Sequence, residues 1–243
     1  MGATEKDFYA SPFGVAFSAY MERPRLSRLI SRVVFGGDTK PYYESMGAVA
    51  EVADGGTIID CPCGAGPAFR ALSAHAEVRY LAVDLSPSMI ARARKRARKR
   101  GLATVELVEA DATDIPAGSD SADLFLSFWG LHCLDDPAAA LAEAARVLKP
   151  GGRLVGSCFV RGDDSFRQRR LIRSGSGDFG RVGTRAEVEA WLAAADFEVS
   201  GIERSGPFLF FQASKKDRMI PLAGDPELAG LAEYAAACPH DLA

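Results

Sequence analysis

Three aspartates, Asp60, Asp84 and Asp111, each stand at or just beyond the end of an apolar segment of the chain. A carboxylate accepts hydrogen bonds through two oxygens, so it suits an ammonium group or a pair of ribose hydroxyls. Asp84 lies 24 residues after Asp60, close to the spacing at which nucleotide-binding folds place an acid against ribose. The pattern predicts a site for a nucleotide-like ligand.

The turn after the first of these aspartates is rich in small residues. Residues 57–66 read TIIDCPCGAG, which predicts a strand followed by a tight turn into a helix. Gly64 and Gly66 allow a left-handed backbone and the close approach of a ligand. Pro67 suits the first helical turn, because its missing N–H costs nothing there.

Strands and helices alternate from residue 57 to residue 195, which is typical of a parallel sheet flanked by helices. Apolar, β-branched runs predict the strands, and helical periodicity predicts the segments between them. The predicted strands cover 57–60, 78–83, 104–109, 122–128 and 153–160, and the predicted helices cover 67–75, 87–100, 136–148 and 184–195.

The last two apolar runs, 197–204 and 207–214, are separated only by Ser205 and Gly206. Parallel strands need a longer connection, so these two runs must form an antiparallel hairpin. We therefore predict a single α/β domain. It has a Rossmann-like, seven-stranded, mostly parallel sheet with one antiparallel strand, helices on both faces and an N-terminal helical cap.

Four ordered motifs share this scaffold: TIIDCPCGAG, RYLAVDLSPSMIARAR (79–94), VELVEADATDIP (105–116) and the segment 121–160. Together they resemble the class I S-adenosylmethionine (SAM)-dependent methyltransferases, particularly the small-molecule group similar to ubiquinone and menaquinone biosynthesis methyltransferases. The family's first motif usually reads acid-x-Gly-x-Gly-x-Gly, whereas Pro62 occupies the first glycine position here. Because proline has a negative φ and no N–H, we predict a negative-φ turn beside the cofactor.

The resemblance implies a SAM site at the carboxyl ends of the first four strands, with S-adenosylhomocysteine (SAH) as the product and no metal. It implies that Asp60 faces the amino end of SAM, Asp84 the ribose, and Asp111 the adenine amino group. The other implied cofactor contacts come from the turn and from apolar residues: Cys61, Pro62, Gly64, Gly66, Leu85, Met89, Ala112 and Phe128.

A general base is harder to find than the cofactor site. His132, in SFWGLHCL after the fourth predicted strand, is the one histidine in a motif that borders the acceptor in similar enzymes. We predict it as the catalytic base, with a hydrogen-bonded structural histidine as the alternative. Catalysis then rests mainly on positioning, which contributes roughly 7–11 kcal/mol in favourable cases.

The composition is that of a globular protein, with 48% hydrophobic residues, 25% charged residues and a formal net charge of −3. This charge gives no reason to expect a nucleic-acid partner, and no apolar run approaches the length that spans a bilayer. The five cysteines are an odd number in a chain that is not small, so a disulfide framework is not expected. With no secretory pattern visible, we expect a cytoplasmic protein.

We divide the chain into an N-terminal helical cap (1–55) of the same domain, a SAM-binding core (56–214) and a C-terminal tail (215–243). Within the cap, helical spacing predicts one apolar face that carries Leu26, Leu29, Ile30, Val33 and Val34. The oligomeric state stays open, with a homodimer as one option.

The leading function is SAM-dependent methyl transfer to an oxygen, nitrogen or carbon nucleophile of a small-molecule acceptor by in-line displacement. An NAD-dependent oxidoreductase on a similar nucleotide-binding core is one alternative. A non-catalytic SAM-binding protein is the other. The sequence leaves the acceptor and the methylated atom undetermined.

Overall fold

A seven-stranded sheet in the order β3-β2-β1-β4-β5-β7-β6 organises the protein. The computed structural model describes residues 20–162 and 181–217. Its strands are β1 (Thr57–Asp60), β2 (Arg79–Asp84), β3 (Val105–Glu109), β4 (Ala122–Phe128), β5 (Leu148–Phe159), β6 (Phe197–Ser205) and β7 (Phe208–Lys215).

The direction of the strands confirms the predicted fold class. The pairs β1–β2, β1–β4, β2–β3 and β4–β5 are all parallel. Strand β7 runs antiparallel to both β5 and β6, and its pairing with β6 closes with Ser205 opposite Phe208. The short turn at Gly206, where φ is +61°, is therefore the hairpin that the sequence predicts.

The sheet is covered by helices whose starts carry ordinary capping signals. Ser86, Asp136 and Thr184 each accept a backbone N–H from the first turn of the helix that follows. The helices are α1 (Pro24–Ile30, continued by a π-helical turn Ser31–Phe35), α2 (Lys40–Ser45, followed by a 3₁₀ turn Met46–Glu51), α3 (Pro87–Lys99), α4 (Pro137–Val147) and α5 (Arg185–Ala194).

The helix predicted at 67–75 is shorter than expected. The structure has only a 3₁₀ turn, Pro67–Ala71, and Leu72 is already extended with φ −82° and ψ 128°. The Ser73 hydroxyl accepts the N–H of His75, a local bond that competes with helix continuation. The connection to β2 is therefore a loop.

Alternating side chains of the strands fill two separate cores. Ile58, Tyr80 and Leu126 point to one face, where α3 and the cap residues Tyr42 and Met46 pack. The intervening strand residues point to the other face, against α4 and α5: Ile59, Leu81, Val83, Phe125 and Leu154. This two-sided burial is the reason that the strands read as continuous apolar runs.

The apolar face predicted for the cap helix points outward. Leu29 is 61% exposed and Val33 is 71% exposed, whereas Ser27 and Ser31 are fully buried. The inward serines have hydrogen-bond partners, because the Ser27 hydroxyl pairs with that of Thr39 at 3.0 Å. Serine hydroxyls that have hydrogen-bond partners therefore fill the buried side of this helix.

Several predicted segments fall outside the described residues. These are the N-terminal helix start before residue 20, most of the 161–183 loop and most of the 215–243 tail. Within 20–162 and 181–217, no helix is both long enough and apolar enough to cross a membrane. The predicted division into cap, core and tail remains a prediction.

Candidate active site

The site is centred where the strand order reverses, between β1 and its neighbours β2 and β4. In open α/β sheets, ligands bind at such a switch point, beyond the carboxyl ends of the strands. The turn after β1 is held to both neighbours. The Cys61 N–H donates to the Leu126 carbonyl at 2.9 Å, and the Cys63 N–H donates to the Val83 carbonyl at 2.8 Å.

The two predicted glycines of this turn have different tasks. Both have a left-handed backbone, with φ +53° at Gly64 and +74° at Gly66. A methyl group on Gly66 would lie 2.4 Å from the Phe69 ring, whereas one on Gly64 would meet no atom within 4 Å. Gly66 therefore lets the turn pack on Phe69, and Gly64 leaves backbone open to a ligand.

Pro62, which departs from the family pattern, packs against the loop after β4. A side chain at Gly130 would lie 2.2 Å from Pro62 Cδ and 2.6 Å from its Cγ. The Cys61–Pro62 peptide is cis. The proline ring and the glycine thus fit each other, which joins the cofactor turn to the segment that carries Trp129 and His132.

Asp60 ends β1 as a buried carboxyl group with a defined partner. It is 1% exposed, and its Oδ2 accepts the hydroxyl of Tyr80 at 2.8 Å. Burial raises the pKa of Asp60 to about 7, the Tyr80 hydrogen bond opposes that rise, and the nearby charge of Asp84 adds to it. The ionised form of such a buried carboxylate is stabilised most by a cation, which offsets the hydration lost on burial.

Asp84 ends β2 and reaches back to the glycine turn. Its Oδ2 accepts the Gly64 N–H at 2.8 Å, and its Oδ1 accepts the Ser86 N–H at 2.9 Å. Asp84 therefore fixes the glycine turn through Oδ2 and the start of α3 through Oδ1.

The residues predicted around adenine follow β2 and β3 in the chain. Leu85 is 61% exposed, whereas Met89, in the first turn of α3, is buried. Asp111 is exposed and its Oδ1 accepts both the N–H and the hydroxyl of Thr113 at 2.8 Å. Ala112 is half-buried beside it. Their roles at the adenine remain predictions.

His132 lies in a short 3₁₀ turn after β4 and is buried. Its Nδ1 accepts the backbone N–H of Phe159 at 3.2 Å, and its ring packs edge-on to the Phe159 ring with centroids 4.8 Å apart. Burial lowers the pKa of His132 to about 3. The imidazole is therefore neutral at pH 7, with one nitrogen committed to the backbone.

Trp129 is surrounded by other rings on the cap side of the sheet. The Phe159 centroid lies 5.5 Å away, that of Phe208 5.3 Å and that of Tyr42 5.4 Å. Phe128, predicted at the cofactor, is buried edge-on to Tyr42 with centroids 5.3 Å apart. We refer to Tyr42, Trp129, Phe159, Phe208 and Phe210 as the aromatic cluster.

Sequence reasoning missed most partners of the predicted residues. Nothing local singles out Tyr80 as the donor to Asp60, because the contact depends on the register of β1 and β2. The alternation in PFLFFQAS does predict that Phe208 and Phe210 share a face, and that signal could have placed both in the cluster.

Metal ligation and thiol chemistry find little support in the described ranges. No group of three or more histidine, cysteine, aspartate or glutamate side chains in them is arranged to hold a metal. Cys61 and Cys63 are free and buried, and burial raises the pKa of both thiols. They act as small packing residues of the turn.

Comparisons with known proteins agree with this geometry. Residues 59–156 match the family model described as a methyltransferase domain. The chain is 35% identical over 160 residues to a malonyl-[acyl-carrier protein] O-methyltransferase of Hahella chejuensis, covering 65% of this chain and 52% of that protein. It is 43% identical over 108 residues to a demethylmenaquinone methyltransferase of Clavibacter sepedonicus, covering 44% of this chain and 42% of that protein.

A solved SAM-dependent methyltransferase from Aquifex aeolicus shares the fold. Its TM-score is 0.57 at 23% identity, with 76% of this chain and 93% of that chain covered. Residues 59–156 thus form a methyltransferase domain of class I. Within that class, the predicted similarity to SAM-dependent methyltransferases of quinone biosynthesis is confirmed. The chain spans about half the length of the relatives it matches.

Proposed function

We propose that the chain transfers a methyl group from SAM to an oxygen, nitrogen or carbon nucleophile of a small-molecule acceptor. The observation that carries this proposal is the placement of two buried carboxyl groups, Asp60 and Asp84, beside the open backbone of Gly64. Relatives named for a quinone and for a malonyl group support a small acceptor. The methyltransferase similarity argues against the NAD-dependent alternative.

The residues of the site fit SAM. We assign the amino end to Asp60, whose buried carboxyl group favours a cationic partner, and the ribose hydroxyls to the two oxygens of Asp84. Leu85 is exposed and available to the adenine face, and Asp111 is available to its amino group. When bound, SAM supplies a methyl group already activated by its positive sulfur, so the task of these residues is to hold and orient.

The role of the protein in the chemical step is mainly positioning. His132 as the general base remains a prediction. To accept a proton, it would have to give up its bond to the Phe159 N–H, and its low pKa makes it a weak base at neutral pH. We favour a positioning role in which His132 holds Phe159, and the acceptor loses its proton to solvent.

Measurements of cofactor binding and of methyl transfer distinguish the functions that the sequence leaves open. Calorimetric titration with SAM and with NAD⁺ should show binding of SAM alone. Incubation with SAM and a panel of quinols, phenols and malonyl thioesters should release SAH with at least one acceptor. Binding of NAD⁺ but not SAM would contradict the proposal, and SAM binding without SAH from any acceptor would support the non-catalytic alternative. Cytoplasmic location and oligomeric state stay predictions.

A further inference from the structure

Helix α3 carries more positive charge than its surroundings neutralise. Residues 92–100 read RARKRARKR, with seven basic side chains and no acidic one. Across 20–162 and 181–217, Arg96 alone of the seven forms an ion pair, with Glu22. The side of the helix that faces away from the sheet is exposed, and we refer to its residues as the basic face: Arg94, Lys95, Arg98, Lys99 and Arg100.

This charge disfavours the helix that carries it. Basic residues are four apart at 92/96, 94/98, 95/99 and 96/100, and like charges at that spacing destabilise a helix. One more basic residue adjoins the basic face, because the Arg100 guanidinium donates to the Arg70 carbonyl at 3.2 Å. Unneutralised charge of one sign, kept at the expense of helix stability, indicates a surface that meets an anionic partner.

Helix α1 and the π-helical turn that continues it expose an apolar stripe. Among the described residues, six large hydrophobic side chains are exposed, and four of them lie here: Leu26, Leu29, Val33 and Val34. Arg25 and Arg32 are exposed between them in the chain. Single exposed apolar side chains are ordinary, but a concentration of them marks an interaction surface.

The apolar stripe begins beside the basic face. Glu22, just before α1, pairs with Arg96 of α3, and Leu26 follows only four residues later, so their Cα atoms are at most about 14 Å apart. A second contact joins α3 to the cap, because the guanidinium of Arg70 lies over the Tyr43 ring, 5.4 Å from its centroid. Both helices border the same core, on one face of the sheet.

The acidic groups in this region leave most of the positive charge unpaired. Glu22 pairs with Arg96, and Asp38 pairs with Arg28 and Arg32 of α1. No other ion pair to α1 or α3 occurs in the part of the chain that the structure describes. The surface is therefore basic and aliphatic at once.

An anionic bilayer surface offers partners to both features. Its phosphate groups attract lysine and arginine, and the boundary of its acyl chains accepts leucine and valine. Nucleic acid fits less well, because single strands are bound through aromatic stacking and none of the large hydrophobic side chains exposed in the described part is aromatic.

We propose that α1 and α3 form a docking surface for an anionic lipid bilayer. The basic face lies against the headgroups, and the apolar stripe enters the boundary between headgroups and acyl chains. The protein then lies on the membrane and does not span it. This inference goes beyond the proposed function, because the contact requires neither SAM nor a methyl acceptor.

Sedimentation of the full chain with lipid vesicles tests the proposal. The vesicles are phosphatidylcholine alone or phosphatidylcholine with about 30% phosphatidylglycerol, at about 0.1 M and about 1 M NaCl, where the Debye length is about 10 Å and about 3 Å. The chain should sediment with the anionic vesicles at the lower salt concentration. It should be largely released at the higher one, and it should stay in solution with phosphatidylcholine alone.

Two double variants measure the two features separately. Lys95→Gln with Arg98→Gln should weaken vesicle binding about 25-fold, which is about fivefold or ~1 kcal/mol for each charge. Leu29→Gln with Val33→Gln should weaken it about tenfold by removing inserted aliphatic groups.

A third double variant controls for net charge. Arg185→Gln with Lys216→Gln removes the same charge at the two ends of α5, which packs in the second core. Its vesicle binding should stay within about twofold of the wild type, because these residues lie far from the surface by more than a Debye length. Urea unfolding confirms that each variant is folded.

Several results would overturn the proposal. They are no sedimentation with anionic vesicles, equal sedimentation with both lipids, or an equal loss in the α3 variant and the α5 control. Unchanged binding of the α1 variant would show that the apolar stripe does not enter the bilayer. In sedimentation velocity without lipid, a dimer that the α1 variant dissociates would assign the stripe to a second copy. Calorimetry with SAM is independent of all these results, so failure of the proposed function is detected separately.

Discussion

The ionisation of Asp60 should control SAM affinity. Burial raises its pKa to about 7, so near neutral pH the free protein contains both forms. An ammonium group at the amino end of SAM favours the ionised form. Binding should therefore strengthen as the pH rises, up to the point at which Asp60 is fully ionised. Replacing Asp60 by Asn removes the titration and keeps the size of the side chain.

The magnitude follows from the pKa. With a value of about 7, Asp60 is ionised in about 3% of molecules at pH 5.5 and in about half at pH 7.0, so the Kd for SAM should fall by roughly 15-fold over that interval. Stability without ligand should move the other way. Because the folded state holds the proton more tightly than the unfolded state, the contribution of Asp60 to the free energy of unfolding should fall by about 1.5 kcal/mol between these two pH values.

Calorimetry of SAM binding at several pH values, with Asp60→Asn as the matched control, checks this reasoning. The wild-type Kd should follow the titration, and the variant should bind weakly and without pH dependence. Tyr80→Phe is a second variant. It removes the hydrogen bond that lowers the pKa of Asp60, so the midpoint should shift to higher pH. A wild-type Kd that is flat from pH 5.5 to 7.0 would refute the assignment of Asp60.

Four further substitutions give expected outcomes. Asp84→Ala should weaken SAM binding at least tenfold by calorimetry, about 1.4 kcal/mol or more; unchanged affinity would contradict the ribose assignment. Gly66→Ala should lower the free energy of unfolding by about 2 kcal/mol in urea, because the methyl group meets Phe69 in addition to the strain of a left-handed alanine; Gly64→Ala adds only that strain, about 1 kcal/mol, and should also weaken SAM binding. His132→Gln should leave SAM binding unchanged and remove about 2 kcal/mol of the stability loss between pH 7 and pH 5, because the buried neutral histidine resists protonation; an unaltered pH profile would contradict this.

The sheet was predictable because its signals are local. Strands buried on both faces appear as apolar runs, and the structure places β1 and β4 at the predicted bounds of 57–60 and 122–128. The connection at Ser205 and Gly206 is too short for any parallel pairing, so the reversed strand followed from chain geometry alone. The family resemblance implied a site at the carboxyl ends of the first strands, and Asp60 and Asp84 do end the parallel neighbours β1 and β2.

The cap and the partners in the site were not predictable in the same way. Hydrophobic periodicity placed Leu29 and Val33 on one apolar helical face, and the structure turns that face outward, whereas Ser27, whose hydroxyl pairs with Thr39, is buried. Such pairing depends on residues that meet only after folding. The bond from Phe159 to His132 likewise requires β5 to lie beside β4, and sequence spacing alone could not distinguish that structural contact from a catalytic one.

In the ligand-free protein, Asp60 and His132 should have opposite and nearly cancelling effects on the pH dependence of the free energy of unfolding. Asp60 lowers stability as the pH rises from about 4 to about 7, since its folded pKa is raised to about 7. His132 raises stability over nearly the same interval, since its folded pKa is lowered to about 3. Each slope is at most ~1.4 kcal/mol per pH unit, so the two nearly cancel between pH 5 and 6.

Only the single variants should therefore expose the two titrations. Asp60→Asn leaves the His132 slope, so its stability should rise with pH. His132→Gln leaves the Asp60 slope, so its stability should fall. Bound SAM, which favours ionised Asp60, should make the wild type behave like Asp60→Asn. Urea unfolding at pH 5 and pH 6 measures the free energy of unfolding of the two variants and of the SAM-bound wild type. If this free energy changed with pH in the same direction in both variants, at least one of the two groups would not be buried as a neutral species.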